Sequence, residues 1–587
     1  MARAIRGASI AALLILSLAG CAGTPARTAR PGPDWSRGIH VGECSVNGTI
    51  ALHVEPDGST VHLAWPETTA EGDRIHYVQL DSQARPKVAR VLPLSARSPL
   101  QVRLLPDGAG GLVLCYPNGI GEDRRLYAAH LDATGALLSE PEQVSQVDLA
   151  VSEYAARATD KGIHVFWSNN DYHTRGIYHL LLDSTGHVIA PSKLVVDKGI
   201  SPDFQADRSG RLHLTWVYEP TVDDENILYA PFDAGTREAG GATLLGRFAL
   251  PRAATRFGPV VGLGRDTVHV VWAWEHLASG ATTTAGEAEC RYASFPIDNP
   301  AAARESALSL PPTPRPGYAL ANGAFAYTAL ASFGVGSSSV VCMPGFVPGQ
   351  RDEAALAVCY AVSTRSGSGM RVAVVYLEGA APKGYQIAAA AGSVVMRPAL
   401  AADGTGQLHL VWLEPGGFHQ YLVYYASTSP AVRAALGRPG YDDVVAAAYG
   451  VTMLLARALS MFPIAIVWLF LPFVWLILYL FARIEGDLSR RGPRIALAVA
   501  IAIYIVAKFF IFPSGFLGAA PLADRLPPTL AGVYLIALPA AILAIAGVTL
   551  WLYTRRREGA TLLLAYLVFG LTDSVLTFLI YAQGVLG

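Results

Sequence analysis

The feature that most restricts what this chain can fold into is a motif that returns about every 50 residues. Its clearest copy is Gly406–Trp412, GQLHLVW. His-x-x-Trp occurs five times, at His62/Trp65, His164/Trp167, His213/Trp216, His269/Trp272 and His409/Trp412. Two weaker copies end in Tyr instead, LVLCY at Tyr116 and LAVCY at Tyr360. The anchors at 65, 116, 167, 216 and 272 are separated by 51, 51, 49 and 56 positions, and those at 360 and 412 by 52. A fixed period of this length means an array of like units, each burying its apolar face only against its neighbours.

Every unit keeps the same order of parts. A short alternating run ends in Asp and usually Gly, as in HVEPDG (53–58), RLLPDG (103–108) and QADRSG (205–210). Those two residues suit a tight turn, because Asp caps its own backbone and Gly accepts positive φ. The anchor strand follows, then a third strand ending in Asp, such as IHYVQLD to Asp81 or IYHLLLD to Asp183, then a weaker fourth run. Four short strands per unit predict a β-propeller blade. The expected fold class is therefore an all-β propeller over residues 39–430, followed by an all-α transmembrane domain of four helices. Seven anchors predict seven blades, or eight if the Ala/Pro/Gly/Ser-rich stretch 304–350 holds a degenerate blade rather than an insertion. The last unit has only three strands before Ser429-Pro430. The run Ile39–Val46 is available as its fourth, which would cover the bare edge and bring the two chain ends together.

On a strand, positions i and i+3 face opposite sides, so the His and Trp of one copy do not form one site. Both are expected to be buried, with each His making one structural hydrogen bond between blades. Five His in five blades do not converge on a metal, and no metal or cofactor is expected. The loops after the anchor strands in the units anchored at Trp167 and Trp216 carry Asn169, Asn170 and Asp171, and Asp223, Asp224 and Glu225. They are candidate rim contacts for sugar hydroxyls or a cation. Cys115 and Cys359 each precede an anchor Tyr and read as core residues. Cys44, Cys290 and Cys342 leave room for one disulfide, with an odd thiol remaining.

The strand pattern of 40–430 resembles the broad family of sialidase-like, BNR-type propellers. LDATG (131–135) and LDSTG (182–186) are distant forms of that family's Asp-box, Ser-x-Asp-x-Gly-x-Thr-Trp, which itself is absent. The resemblance implies the ring, and glycoside hydrolysis as one alternative activity. No spacing singles out a catalytic constellation.

Both ends of the chain point to a membrane. Arg3 and Arg6 precede the apolar run Ile10–Leu18 and then Leu18-Ala19-Gly20-Cys21. A basic start, a short apolar core and small residues describe an export signal over 1–20. LAGC resembles the bacterial lipobox, which implies that Cys21 is lipidated and becomes the new N-terminus. Residues 21–38 read as a flexible tether. Beyond the ring, 431–457 has an amphipathic pattern suited to a bilayer surface. Apolar spans of membrane length follow at about 458–482, 495–513, 529–553 and 560–582. Arg483, Arg490, Arg491 and Arg494 lie between spans one and two, and Arg555, Arg556 and Arg557 between three and four. Basic loops stay in the cytoplasm, so the propeller and the C-terminus are expected on the periplasmic side of the cytoplasmic membrane. Lys508 and Asp573 fall inside spans at similar depth, where charges are costly, and are expected to pair.

Formal net charge is −1, which removes any overall electrostatic argument for nucleic acid as a partner. The expected function is a membrane-anchored, extracytoplasmic lipoprotein that binds a glycan or envelope protein as a scaffold or sensor. The alternatives are a tethered sialidase-like hydrolase, or a subunit of a transport or signalling complex.

Overall fold

A computed structural model describes residues 34–45, 48–69, 72–221, 224–249, 254–276, 287–310, 328–329, 341–364, 367–390, 394–417 and 420–437. From there on it describes short pieces between 448 and 459, then 462–511, 520, 528–557 and 559–585. The chain divides into two compact units, a ring within 28–438 and a helical unit from Pro439 onward. The export signal, Cys21 and most of the segment 431–457 lie outside the described residues.

The ring has seven sheets, each of antiparallel strands. Blade 1 is Ala51–Val54, Thr60–Thr69, Gly72–Asp81 and Pro86–Val91. The innermost strands of blades 2 to 7 are Arg103–Pro106, Glu153–Thr159, Gly199–Ala206, Thr255–Leu263, Val341–Phe346 and Met396–Ala402. Each touches the innermost strand of the next blade, and blade 7 touches blade 1, so the ring is closed. The expected seven blades are present. The irregular stretch contributes Thr328–Ala329 and the innermost strand to blade 6, and no eighth sheet occurs among the described residues.

Closure uses the N-terminal strand. Ile39–Cys44 pairs antiparallel with Gln420–Ser427, the last strand of blade 7, with Ile39 opposite Tyr425 and Cys44 opposite Tyr421. Residues just before it are packed rather than tethering: Trp35 is buried and its Nε1 donates to Gln386 Oε1 of blade 6 at 2.9 Å. Ser36 N donates to Ser427 O at 2.8 Å. The boundary expected at 38 therefore moves to about Asp34, because an indole that size is buried only in a fixed position. The short helix α1 (Pro430–Leu436) leaves from the same place, with Arg433 3.5 Å from Asp34.

The anchors explain how the blades stack. Trp65 lies in the apolar layer between blades 7 and 1, and Tyr77 in the layer between blades 1 and 2. Trp167 likewise packs against Val113 and Cys115 of blade 2. All five anchor Trp and all five His are buried. The histidine hydrogen bonds run within a blade, not between blades as the pattern suggested. His62, His213 and His409 each meet the hydroxyl of a Tyr on the third strand of their own sheet (Tyr77, Tyr229, Tyr425), all at 2.7 Å. His164 meets His179 at 3.0 Å and His269 meets Ser294 at 2.8 Å. A buried imidazole needs a partner, and a neighbour on the adjacent strand, diagonal for four of the histidines and directly opposite for His269, is nearer than the next blade.

The helical unit contains α2 (Phe462–Arg483), α3 (Arg491–Ile511), α4 (Pro528–Arg556) and α5 (Leu562–Val585). Each is long and apolar enough to cross a membrane. Helix α5 packs against the other three. Trp468, Tyr504, Tyr566 and Phe578 form the centre of its core.

Candidate functional site

All seven innermost strands line one axial cavity of about 610 Å³. That is the volume of a small-molecule pocket. Four arginines line it, Arg103, Arg157, Arg256 and Arg397, against two carboxylates, Glu153 and Asp203.

The backbone brings several of these side chains inward by a repeated device. In blades 4 to 7 the innermost ladder slips at Ser201-Pro202, Gly258-Pro259, Met343-Pro344 and Arg397-Pro398. The first residue of each pair has positive φ, 51°, 84°, 54° and 53°. For Ser, Met and Arg that conformation is sterically costly. Proline then withholds an amide from the ladder, and the bulge re-aims its neighbours. The bulges lie opposite Trp216, Trp272 and Trp412, and opposite Val358 in blade 6. In the sequence the signal is a proline 13 to 16 residues before the anchor in four units, a second repeat beneath the first.

The cavity charges are not evenly matched. Arg256 reaches outward to Glu225 at 2.5 Å and Glu219 at 3.6 Å, and donates to Ser201 Oγ at 2.6 Å. Arg157 pairs with Asp203 at 3.3 Å, whose other oxygen accepts the Val261 amide at 2.9 Å. Burial holds the Asp203 carboxyl above its usual range even with Arg157 beside it. Among the described residues Arg103 donates to neutral oxygens, Val102 O at 3.1 Å and Thr49 Oγ1 at 3.4 Å. Burial lowers the Arg157 pKa, and the nearby Arg103 charge lowers it further despite Asp203. Tyr154 borders the cavity, but its hydroxyl is turned to the carbonyls of Cys115 at 2.7 Å and Gln101 at 3.1 Å.

The five described rim residues are engaged by their own surroundings. Asn169 is buried, its amide donating to Thr174 Oγ1 and its oxygen accepting the Asp171 amide. Asp171 accepts the amide of His173, and Asn170 N donates to Ser152 Oγ. These groups shape their own loop. Asp224 bonds Thr221, and Glu225 points to Arg256 at the cavity. Asp223 lies outside the described residues. Cys44, Cys115, Cys290, Cys342 and Cys359 are buried thiols, so the anticipated disulfide among Cys44, Cys290 and Cys342 is not formed. No cluster with metal-ligand character occurs among the described residues.

In the helical unit the structure brings Lys508 and Asp573 together, Nζ to Oδ2 at 2.5 Å, both buried. Residues that carry no charge complete the group. Tyr504 donates to the same Asp573 oxygen at 2.6 Å, and Lys508 also donates to Thr577 Oγ1 at 2.8 Å. Ser574 lies 3.1 Å from the Tyr504 hydroxyl and accepts Trp468 Nε1 at 3.2 Å. Helices α2, α3 and α5 are thus joined by one polar network.

No family model and no curated protein matches the chain. Among solved structures, a Mycobacterium tuberculosis puromycin-hydrolyzing peptidase is similar over 67% of this chain and 50% of its own, at 14% identity and a TM-score of 0.35. A luciferin-regenerating enzyme is similar over 66% and 94%, at 12% identity and a TM-score of 0.31. A Dyadobacter fermentans protein of unknown function is similar over 66% and 98%, at 8% identity and a TM-score of 0.32. The chain spans about half the length of the peptidase.

Proposed function

We propose that this protein is an envelope lipoprotein whose propeller binds an anionic ligand in its axial cavity while the four helices hold it in the cytoplasmic membrane. The ligand class follows from one observation: Arg157 is paired with Asp203 while Arg103 donates to neutral oxygens, in a cavity whose lining carries two more arginines than acids. Guanidinium groups lining one cavity favour an oxyanion as ligand, since charge-assisted and bidentate bonds to it are the strong ones. A carboxylate-bearing glycan or an acidic protein segment meets that requirement. The periplasmic placement is supported by LAGC at Cys21 and by the seven arginines of the two basic loops.

The hydrolase alternative requires a nucleophile facing the cavity. Tyr154 spends its hydroxyl on two backbone carbonyls, and Asp203 is engaged by Arg157 and Val261 N, which favours binding over turnover.

The test uses full-length protein in detergent, titrated with glucuronate and with its neutral counterpart glucose. Saturable binding of glucuronate alone, lost in Arg103→Gln and in Arg157→Gln but kept in Arg208→Gln, an exposed arginine paired with Asp352 and absent from the cavity lining, is expected. Equal binding of both sugars, or glycan cleavage that survives both substitutions, would sink the reading. Lipid labelling that persists in Cys21→Ser would remove the lipoprotein half.

A further inference from the structure

The two basic loops of the helical unit are far apart in sequence, yet they are stapled to each other. Leu488 N donates to Ala560 O at 3.2 Å, Leu562 N donates to Gly486 O at 2.8 Å, and Asp487 and Thr561 form a β-bridge. Leu488, Ala560 and Leu562 are buried beneath this contact, so the staple has its own small apolar floor.

That contact concentrates positive charge. Segments 483–494 and 555–561 carry seven arginines against Glu485, Asp487 and Glu558, an excess of four. The arginines are all exposed. Arg490 is paired with Glu485. Among the described residues Arg483, Arg491, Arg555, Arg556 and Arg557 form no ion pair, although like charges this close repel. Two of them are held in place. The Arg555 guanidinium lies 5.0 Å from the Trp551 ring and that of Arg557 lies 5.8 Å from the Tyr553 ring. Both distances fall within cation–π range. Arg494 is fixed by its Nε donating to Leu488 O at 2.6 Å.

A backbone staple, an apolar floor and stacked guanidinium groups describe a preorganised surface rather than loose loop tips. Its position decides the occupant. The arginines stand at the ends of four apolar helices of membrane length, where Trp and Tyr also favour the headgroup layer. We propose that this stapled array binds the phosphate headgroups of anionic phospholipid, with Arg555 and Arg557 positioned by Trp551 and Tyr553. Guanidinium forks match phosphate oxygens two at a time, and the staple keeps forks from both loops on one patch.

The experiment is thermal unfolding of the full chain in nanodiscs of phosphatidylglycerol and of phosphatidylcholine, with native mass spectrometry of lipid retained in detergent. The wild type is expected to melt higher in phosphatidylglycerol and to retain it. Arg555→Gln/Arg557→Gln should abolish the difference and reduce retention at least about tenfold. Arg555→Lys/Arg557→Lys should recover only part of the retention, since lysine offers charge without the fork. If the double variant does not fold, high salt applied to the wild type must erase the preference instead. Equal melting and equal retention in both lipids would overturn the proposal. Full stabilisation by inorganic phosphate in a phosphatidylcholine disc would do so too, since it would identify a free-anion site.

Discussion

Lys508 and Asp573 meet at 2.5 Å from two helices whose sequence positions are 65 apart. The pair is buried, and Asp573 Oδ2 receives Tyr504 as well. Removing one member strands the other charge. Lys508→Met or Asp573→Leu alone should each cost about 3–5 kcal/mol, whereas the double replacement should cost less than either. Unfolding of the helical unit in detergent measures this; additive losses would mean the two residues act separately.

The closing strand should behave as a latch. Trp35→Ala removes a buried indole and its bond to Gln386, and should destabilise the ring by about 3–5 kcal/mol. Because Ile39–Cys44 is the outer strand of blade 7, loosening it exposes the edge at Gln420–Ser427. Limited proteolysis should then cut first around residues 39–44 and 420–437. Unchanged protection there would show that the ring holds without its latch.

The ring should lose stability in mild acid. His62, His164 and His269 are held down to about 4 and His179 to about 3, in each case chiefly by burial. Unfolded histidines take up protons near 6.5, so the unfolded state binds more protons below that pH. Stability is therefore complete above about 6.5 and falls as pH drops toward 4, with each histidine contributing on the order of 3 kcal/mol. His179 has a further reason to stay neutral. Arg237 Nε donates to its Nδ1 at 3.0 Å, which places its own proton on Nε2, facing His164. Burial raises the Asp403 carboxyl, but the nearby His409 imidazole and hydrogen bonds from Thr405 and the Gln407 amide outweigh it and hold it down to about 2, so it adds a loss only at lower pH. A melting temperature flat between pH 7 and 4.5 would contradict this assignment.

Gly135 is a place where a methyl group has nowhere to go. Its φ is +75°, and a Cβ there would sit 2.2 Å from the Tyr77 ring, whose hydroxyl pins His62. Gly135→Ala should cost about 1–3 kcal/mol, through both the conformation and the displaced ring. Gly108, also at positive φ but with nothing near its Cβ position, should cost less. Equal losses at the two positions would mean that the Tyr77 contact is unimportant.

The sequence by itself determined the period, the seven blades, the use of the run Ile39–Val46 as the missing strand, and four helices long enough to span a bilayer. These follow from local rules: strand alternation, turn chemistry and apolar run length repeat along the chain and need no knowledge of distant partners. That Lys508 and Asp573 could meet was legible for the same reason, since rise per residue converts position along each helix into height. Tertiary structure alone decided what each polar group does. The histidines find partners inside their own blades, Glu225 turns to Arg256, and Asn169 and Asp171 are consumed by one loop. Arg103 and Arg157, 54 residues apart, face one cavity because adjacent blades place their first strands on the same axis. Tyr504, Ser574, Thr577 and Trp468 join the ion pair although nothing in the sequence distinguishes them from ordinary helix residues. Hydrogen-bond partnership depends on angles and distances of a fraction of an ångström between elements remote in sequence, and periodicity carries no information at that scale.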